Sequence, residues 1–206
     1  MRVTGFPSSI PSCTPGRWVA SGADCYALKV FDDALRATGT ALVAAIDWCV
    51  GNGMDIVNLS LGSTNPKHEA ALTRVAERAQ SAGVLLVAAR SAGGVACYPG
   101  CLAAVLGVEL DWDCPRDSYR SRRLGDEDVV HASGFPRPIT GVEPRRNLLG
   151  VSFAVANVTG IAARVWEAVG AGPGRGRCLL VRQALERGWV RPEAAMPLAA
   201  DGRPRP

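Results

Sequence analysis

The chain has 206 residues, of which 48% are apolar and 20% charged, and a formal charge of +4. Such values describe one ordinary globular domain with a sizeable core. No apolar run is long enough to span a bilayer, and the basic residues are not interleaved with aromatics as a stacking platform requires, so neither membrane nor nucleic acid is expected as a partner.

The chain opens with a segment rich in Pro, Ser and Gly, residues 1–22, which reads as an irregular arm. It has no apolar h-region, so no signal peptide is visible and the default expectation is a cytoplasmic protein. Tyr26–Phe31 (YALKVF) reads as a short strand. Thr40–Gly51 has apolar residues at helical spacing, with Thr40 as candidate cap and Gly51 as a stop. Asp55–Leu61 (DIVNLSL) is β-branched and apolar, the mark of a strand buried on both faces. Pro66–Ala82 reads as an amphipathic helix with proline in its first turn. Val84–Ala89 and Leu102–Glu109 read as two more strands. Residues 111–149 lose periodicity and read as an irregular connection or a small hairpin insert. Gly150–Val169 is an apolar helix, Cys178–Gly188 a last amphipathic one, and residues 191–206 a Pro/Ala/Arg tail. Strands alternating with helices imply βαβ units, a mostly parallel sheet and helices on its faces.

Seven cysteines are scattered singly, which argues for free, mostly buried thiols. Cys97, Cys101 and Cys114 with His131 make a poor zinc set, because the spacing lacks a tight pair. Asp111, Asp113 and Asp117 are the one local calcium candidate, with a solvated turn as the alternative. No cofactor or metal is expected.

Ser152 stands directly before the Ala-rich helical run, in GVSFAVANVTG. A hydroxyl in the first turn of a buried helix lies among unpaired N–H groups and the positive end of the helix dipole, where negative charge is stabilised. That suits a nucleophile that must carry an oxyanion beside it. The local sequence alone favours the other reading, serine as N-cap.

The order of elements resembles the subtilases, the subtilisin-like serine peptidases. NGMDIVNLSLG (Asn52–Gly62) is close to that family's NGMDVINMSLG. YALKVF with its following helix, GVLLVAA and YPGCLAAVLGVEL (Tyr98–Leu110) match further family segments in the right order. GVSFAVANVTG falls where the family has GTSMASPHVAG. The resemblance covers roughly residues 23–170. It implies a three-layer α/β/α domain over residues 23–190, with Ser152 as nucleophile and Ser60, Leu61 and Gly62 lining the substrate cleft. The Ser60–Gly62 backbone would pair with an extended peptide. An α/β-hydrolase reading of Ser152 fails, since no buried strand precedes it and Ala154 replaces the needed glycine.

The same resemblance exposes gaps. The family's aspartate and histidine precede the strand like YALKVF. Here that stretch has no Asp-Thr-Gly or Asp-Ser-Gly, no His-Gly-Thr and no histidine at all. The two histidines, His68 and His131, lie outside the family's positions. Ala92 falls where the oxyanion side-chain amide belongs, and Val151 replaces a threonine. Ala156 and Asn157 replace the family's structural Pro and His. The strand carrying the aspartate also belongs inside the sheet, so its loss would leave two apolar edges unpaired. The expectation is an N-terminally truncated serine endopeptidase domain, inactive or very weak as it stands, or one completed by a second chain that supplies the Asp and His region. The alternative is a non-catalytic pseudoprotease that binds an extended peptide or partner. A third reading is a fragment without independent function.

Overall fold

The computed structural model describes residues 2–4, 23–34, 36–170 and 175–188. In chain order the elements are β1 (Arg2–Thr4), β2 (Asp24–Tyr26), α1 (Gly39–Gly51), β3 (Ile56–Leu59), α2 (Glu69–Ser81), β4 (Leu85–Ala89), β5 (Ser91–Ala92), β6 (Val95–Ala96), β7 (Leu106–Leu110), β8 (Tyr119–Leu124), β9 (Glu127–Ala132), α3 (Val151–Val169) and α4 (Arg175–Glu186). Seven strands form one sheet in the order β2-β1-β3-β4-β7-β9-β8. All neighbours are parallel except the β8–β9 hairpin. β5 and β6 make a separate two-stranded hairpin.

Alternation along the strands feeds two cores. Ile56, Leu85, Val87, Leu106, Val108, Val130 and Ala132 face α3 and α4. Val57, Leu59, Leu86 and Ala88 face α1 and α2. β3 and β4 are buried at every position, as strands covered on both faces must be. The result is the three-layer α/β/α domain with a mostly parallel sheet.

Several expectations are corrected. β1 pairs Val3 with Cys25 on one side and with Ile56 on the other. Residues 2–4 are therefore sheet, not irregular arm, and they fill the gap between β2 and β3. The rest of that arm and the 191–206 tail lie outside the described residues. The strand expected at Tyr26–Phe31 ends at Tyr26, and the one expected from Leu102 starts at Leu106, because residues 98–105 make successive turns (Leu102 N to Pro99 O 2.9 Å, Val105 N to Leu102 O 3.0 Å). The cap of α1 is Thr38 and not Thr40; its hydroxyl accepts from the Ala41 amide at 3.1 Å. Pro66–His68 is a 3-10 turn leading into α2, capped by the Asn65 side chain. Residues 111–149 contain the β8–β9 hairpin, and it extends the main sheet.

The acidic group is corrected too. Asp111 is neither solvated nor available to a cation: Arg120 and Arg122 donate to its Oδ2 at 2.7 and 2.8 Å, and the Asp113 amide donates to Oδ1 at 3.0 Å. Burial alone would raise the Asp111 carboxyl, but the Arg120 and Asp113 bonds and the two arginine charges outweigh it and hold it below its ordinary value.

Candidate active site

The C-terminal ends of the parallel strands and the N-terminus of α3 meet at one end of the sheet, where open α/β folds place their ligands. Gly150 (φ 147°, ψ 177°) forms the N-cap position of α3. Its amide donates to Gly134 O at 2.9 Å, which seats the helix start against the chain leaving β9. Ser152 follows as the second helical residue and is exposed. It is not the cap, and no side chain caps α3. Its Oγ donates instead to Ser60 O at 3.3 Å, while Ser60 Oγ donates to Ser152 O at 3.1 Å.

Behind this pair runs a buried polar chain. Asn58 Nδ2 donates to Ser60 Oγ at 3.0 Å. Thr159 Oγ1 lies 3.0 Å from Asn58 Oδ1 and 2.8 Å from Val155 O, so its one proton serves one acceptor at a time. Asn58 and Thr159 are both buried, where an unmade hydrogen bond is costly. Sequence reading overlooked these two residues. A polar side chain inside a strand buried on both faces was the available signal. Asn157 is also buried, and its Nδ2 holds Ser133 O at 3.0 Å and Phe135 O at 3.2 Å.

Beyond Ser60 the chain continues as Leu61, packed against the α1–α2 core, and the exposed Gly62. Neither has a backbone hydrogen-bond partner among the described residues. A Cβ on Gly62 would stand 2.5 Å from Cys97 Sγ and 2.7 Å from Tyr98 O, so only glycine fits there. Ser63 and Tyr98 then exchange both backbone hydrogen bonds at 2.8 Å. Ser60, Leu61, Gly62 and Ser152 are thus brought together.

The histidines are not brought to Ser152. His68 Nδ1 lies 2.8 Å from Ser63 Oγ, with its ring against Gly39. His131 is on β9, not in an irregular insert, and pairs with Glu109 of β7. Its neighbours Val130 and Ala132 face α3, so alternation turns His131 to the opposite side of the sheet. Burial lowers its pKa first and Arg122 lowers it further, against the raising effect of Glu109 and Asp111. Ala92 is exposed on β5 and brings no side-chain donor, while Ser91 beside it donates to Glu109 Oε2 at 2.7 Å.

No group of three or more His, Cys, Asp and Glu among the described residues could hold a metal. Cys97, Cys101, Cys114 and Cys178 are free thiols. Burial, reinforced by Cys101, pushes the Cys97 thiol up, and burial pushes Cys178 up to about 11 against the lowering charge of Arg182. Such thiols are poor nucleophiles and poor ligands. No described helix is long and apolar enough to cross a membrane.

Comparison with known proteins gives a consistent set. The Subtilase family model matches residues 10–101. Subtilisin DY of Bacillus licheniformis is 30% identical over 173 residues, covering 79% of this chain and 61% of that protein. A thermostable alkaline protease of Halalkalibacterium halodurans is 34% identical over 151 residues, covering 71% of this chain and 41% of that protein. Among solved structures, the patellamide maturation protease PatA is similar with TM-score 0.59 and 28% identity, and the prenylagaramide maturation protease PagA with TM-score 0.58 and 27% identity; each match covers 81% of this chain and 64% of the other. The chain therefore spans less than two thirds of the length of these relatives.

Proposed function

Because the chain belongs to the subtilase family, we propose that it is a subtilisin-like serine peptidase domain in which Ser152 stands at the nucleophile position without an activating base. The observation that carries this reading is the partner of Ser152 Oγ, which is the backbone carbonyl of Ser60 and not an imidazole. A serine hydroxyl is a weak nucleophile until a base takes its proton. His68 is committed to Ser63, and His131 lies across the sheet. Ser152 does sit in the first turn of α3, where the helix dipole and its own N–H would stabilise an oxyanion. On this reading the position is prepared for charge but has nothing to generate it. Peptide-bond hydrolysis by the chain as it stands is absent or very slow, and a base would have to come from residues outside this sequence.

The backbone of Leu61 and Gly62 favours a second reading, a peptide-binding module that does not cut. Their N–H and C=O groups, without a backbone partner among the described residues, can pair with an extended peptide. The exposed methyl of Ala92 supports it, since a restored base would still lack that donor.

The deciding experiment is fluorophosphonate labelling of the folded chain beside Ser152→Ala, paired with anisotropy of a fluorescein-tagged extended peptide. The expected result is no Ser152-dependent labelling and peptide binding that survives Ser152→Ala. Labelling that vanishes in Ser152→Ala would overturn the claim that no base reaches Ser152.

A further inference from the structure

Ser63, one residue past Gly62, is the serine that does meet an imidazole. His68 Nδ1 stands 2.8 Å from Ser63 Oγ, and the Asn65 amide donates to the same oxygen at 3.1 Å. With the ring proton on Nε2, the Ser63 hydroxyl donates to Nδ1. Its proton is then directed at a group that can take it, whereas that of Ser152 is spent on a carbonyl. A nucleophile and a base within hydrogen-bond reach are the first requirement of covalent catalysis.

Both partners are held in place. The two backbone bonds between Ser63 and Tyr98 pin the serine to the neighbouring chain. His68 closes the 3-10 turn that leads into α2, and its amide donates to Asn65 O at 3.1 Å. Its ring packs on the first residue of α1: a Cβ on Gly39 would stand 2.9 Å from Cδ2 and 3.1 Å from Nε2. Ser63 and His68 are half-buried, so a small substrate reaches them. The Asn65 amide already on Oγ stabilises the alkoxide as it forms. Thr64 is exposed, and its N–H has no backbone partner among the described residues. The N–H of the residue after the serine is one that supplies an oxyanion donor in other serine hydrolases. Glu69 spends Oε2 on the Tyr98 hydroxyl at 3.0 Å, and His68 forms no ion pair among the described residues.

We propose that Ser63 and His68 form a nucleophile–base dyad that hydrolyses small carboxylic esters, separately from Ser152. Ser63 stands three residues beyond Ser60, which holds Ser152, a reach of at most about 10 Å along the chain. Ser63 Oγ bonds to the ester carbonyl carbon while its proton passes to His68 Nδ1. The bond from that carbon to the alcohol oxygen then breaks, and the departing oxygen takes the proton from Nδ1. Water next attacks the acyl carbon and gives a proton to Nδ1. The bond to Ser63 Oγ breaks, the proton returns to Oγ, and the carboxylic acid is released. An ester and one water thus become an acid and an alcohol. Esters are the expected class because no carboxylate orients the imidazole. An alkoxide or phenoxide leaves with little help, while an amine leaves only when a well-oriented acid protonates it. The dyad goes beyond the peptidase reading and does not depend on it.

The test treats the folded full chain with p-nitrophenyl acetate and with a fluorophosphonate, and locates the adduct by mass spectrometry. The tryptic peptide spanning residues 37–67 contains Ser63 and excludes Ser152, and its fragment spectrum separates Ser63 from Ser60. The phosphonyl adduct is expected on Ser63. It should vanish in Ser63→Ala and form at least about tenfold more slowly in His68→Gln. Release of p-nitrophenolate should continue past one equivalent per chain, and a stop at one would overturn the hydrolysis step. If either variant fails to fold, the position of the adduct in the unaltered chain decides. No adduct on Ser63, or labelling of Ser63 at the same rate in His68→Gln, would overturn the dyad and leave the reading of Ser152 standing. An adduct on Ser152 would overturn that reading and leave the dyad to be judged by Ser63 alone.

Discussion

Ser152 and Ser60 hold each other reciprocally, each hydroxyl donating to the other's carbonyl, at 3.3 and 3.1 Å. The pair fastens the first turn of α3 to the chain leaving β3. It also spends the Ser152 proton on an amide oxygen, which cannot remove it.

Ser60→Ala tests the reciprocity. It removes the Ser60 Oγ bond to Ser152 O and the one Ser60 Oγ accepts from Asn58 Nδ2. Unfolding in urea should show a loss of about 1–2 kcal/mol. Hydrogen exchange should quicken in the first turn of α3 and stay unchanged in α2.

Gly62→Ala tests the cleft strand. The new methyl would meet Cys97 Sγ and Tyr98 O, and the carbonyl cannot move without breaking the Ser63–Tyr98 pairing. Peptide binding by anisotropy should be lost, with a stability cost of about 1–3 kcal/mol. Adding Cys97→Ala should recover part of the stability, because it clears only one of the two obstacles.

Asn157→Ala leaves two carbonyls, those of Ser133 and Phe135, without their donor beside a buried site. The expected cost is about 1–3 kcal/mol by denaturant titration.

Acid should destabilise the domain through two groups whose signs agree. The Asp111 carboxyl is held below its ordinary value by Arg120, Asp113 and Arg122, so its stabilisation is present above the unfolded value of about 3.9 and is lost as pH falls through the folded value. His131 is lowered as well, chiefly by burial, so the unfolded chain takes up its proton first and stability falls as pH drops below about 6.5. Thermal melts should show a lower Tm from pH 7 to 5, flattened by His131→Gln. A second loss below pH 4 should be flattened by Asp111→Asn, which also lowers Tm at pH 7.

The local sequence carried the frame. DIVNLSL and VLLVAA are too apolar and β-branched to be anything but strands covered on both faces, and the apolar spacing of α1, α2 and α3 could bury only one way. The match of NGMDIVNLSLG and GVSFAVANVTG to a known family placed Ser60 and Ser152 in one site, and the structure brings them within 3.3 Å. What the sequence could not decide depends on partners distant along the chain. Residues 2–4 have no periodicity to report, and only the two open edges of β2 and β3 make them a strand. YRSRRL reads as solvated until β9 pairs with it and Asp111 collects Arg120 and Arg122. Asn58 and Thr159 are ordinary polar residues until packing buries them opposite each other. Periodicity records which face of an element avoids water, which is a local property. Hydrogen bonds and charge pairs are set by what lies across the gap, and only the tertiary structure supplies that.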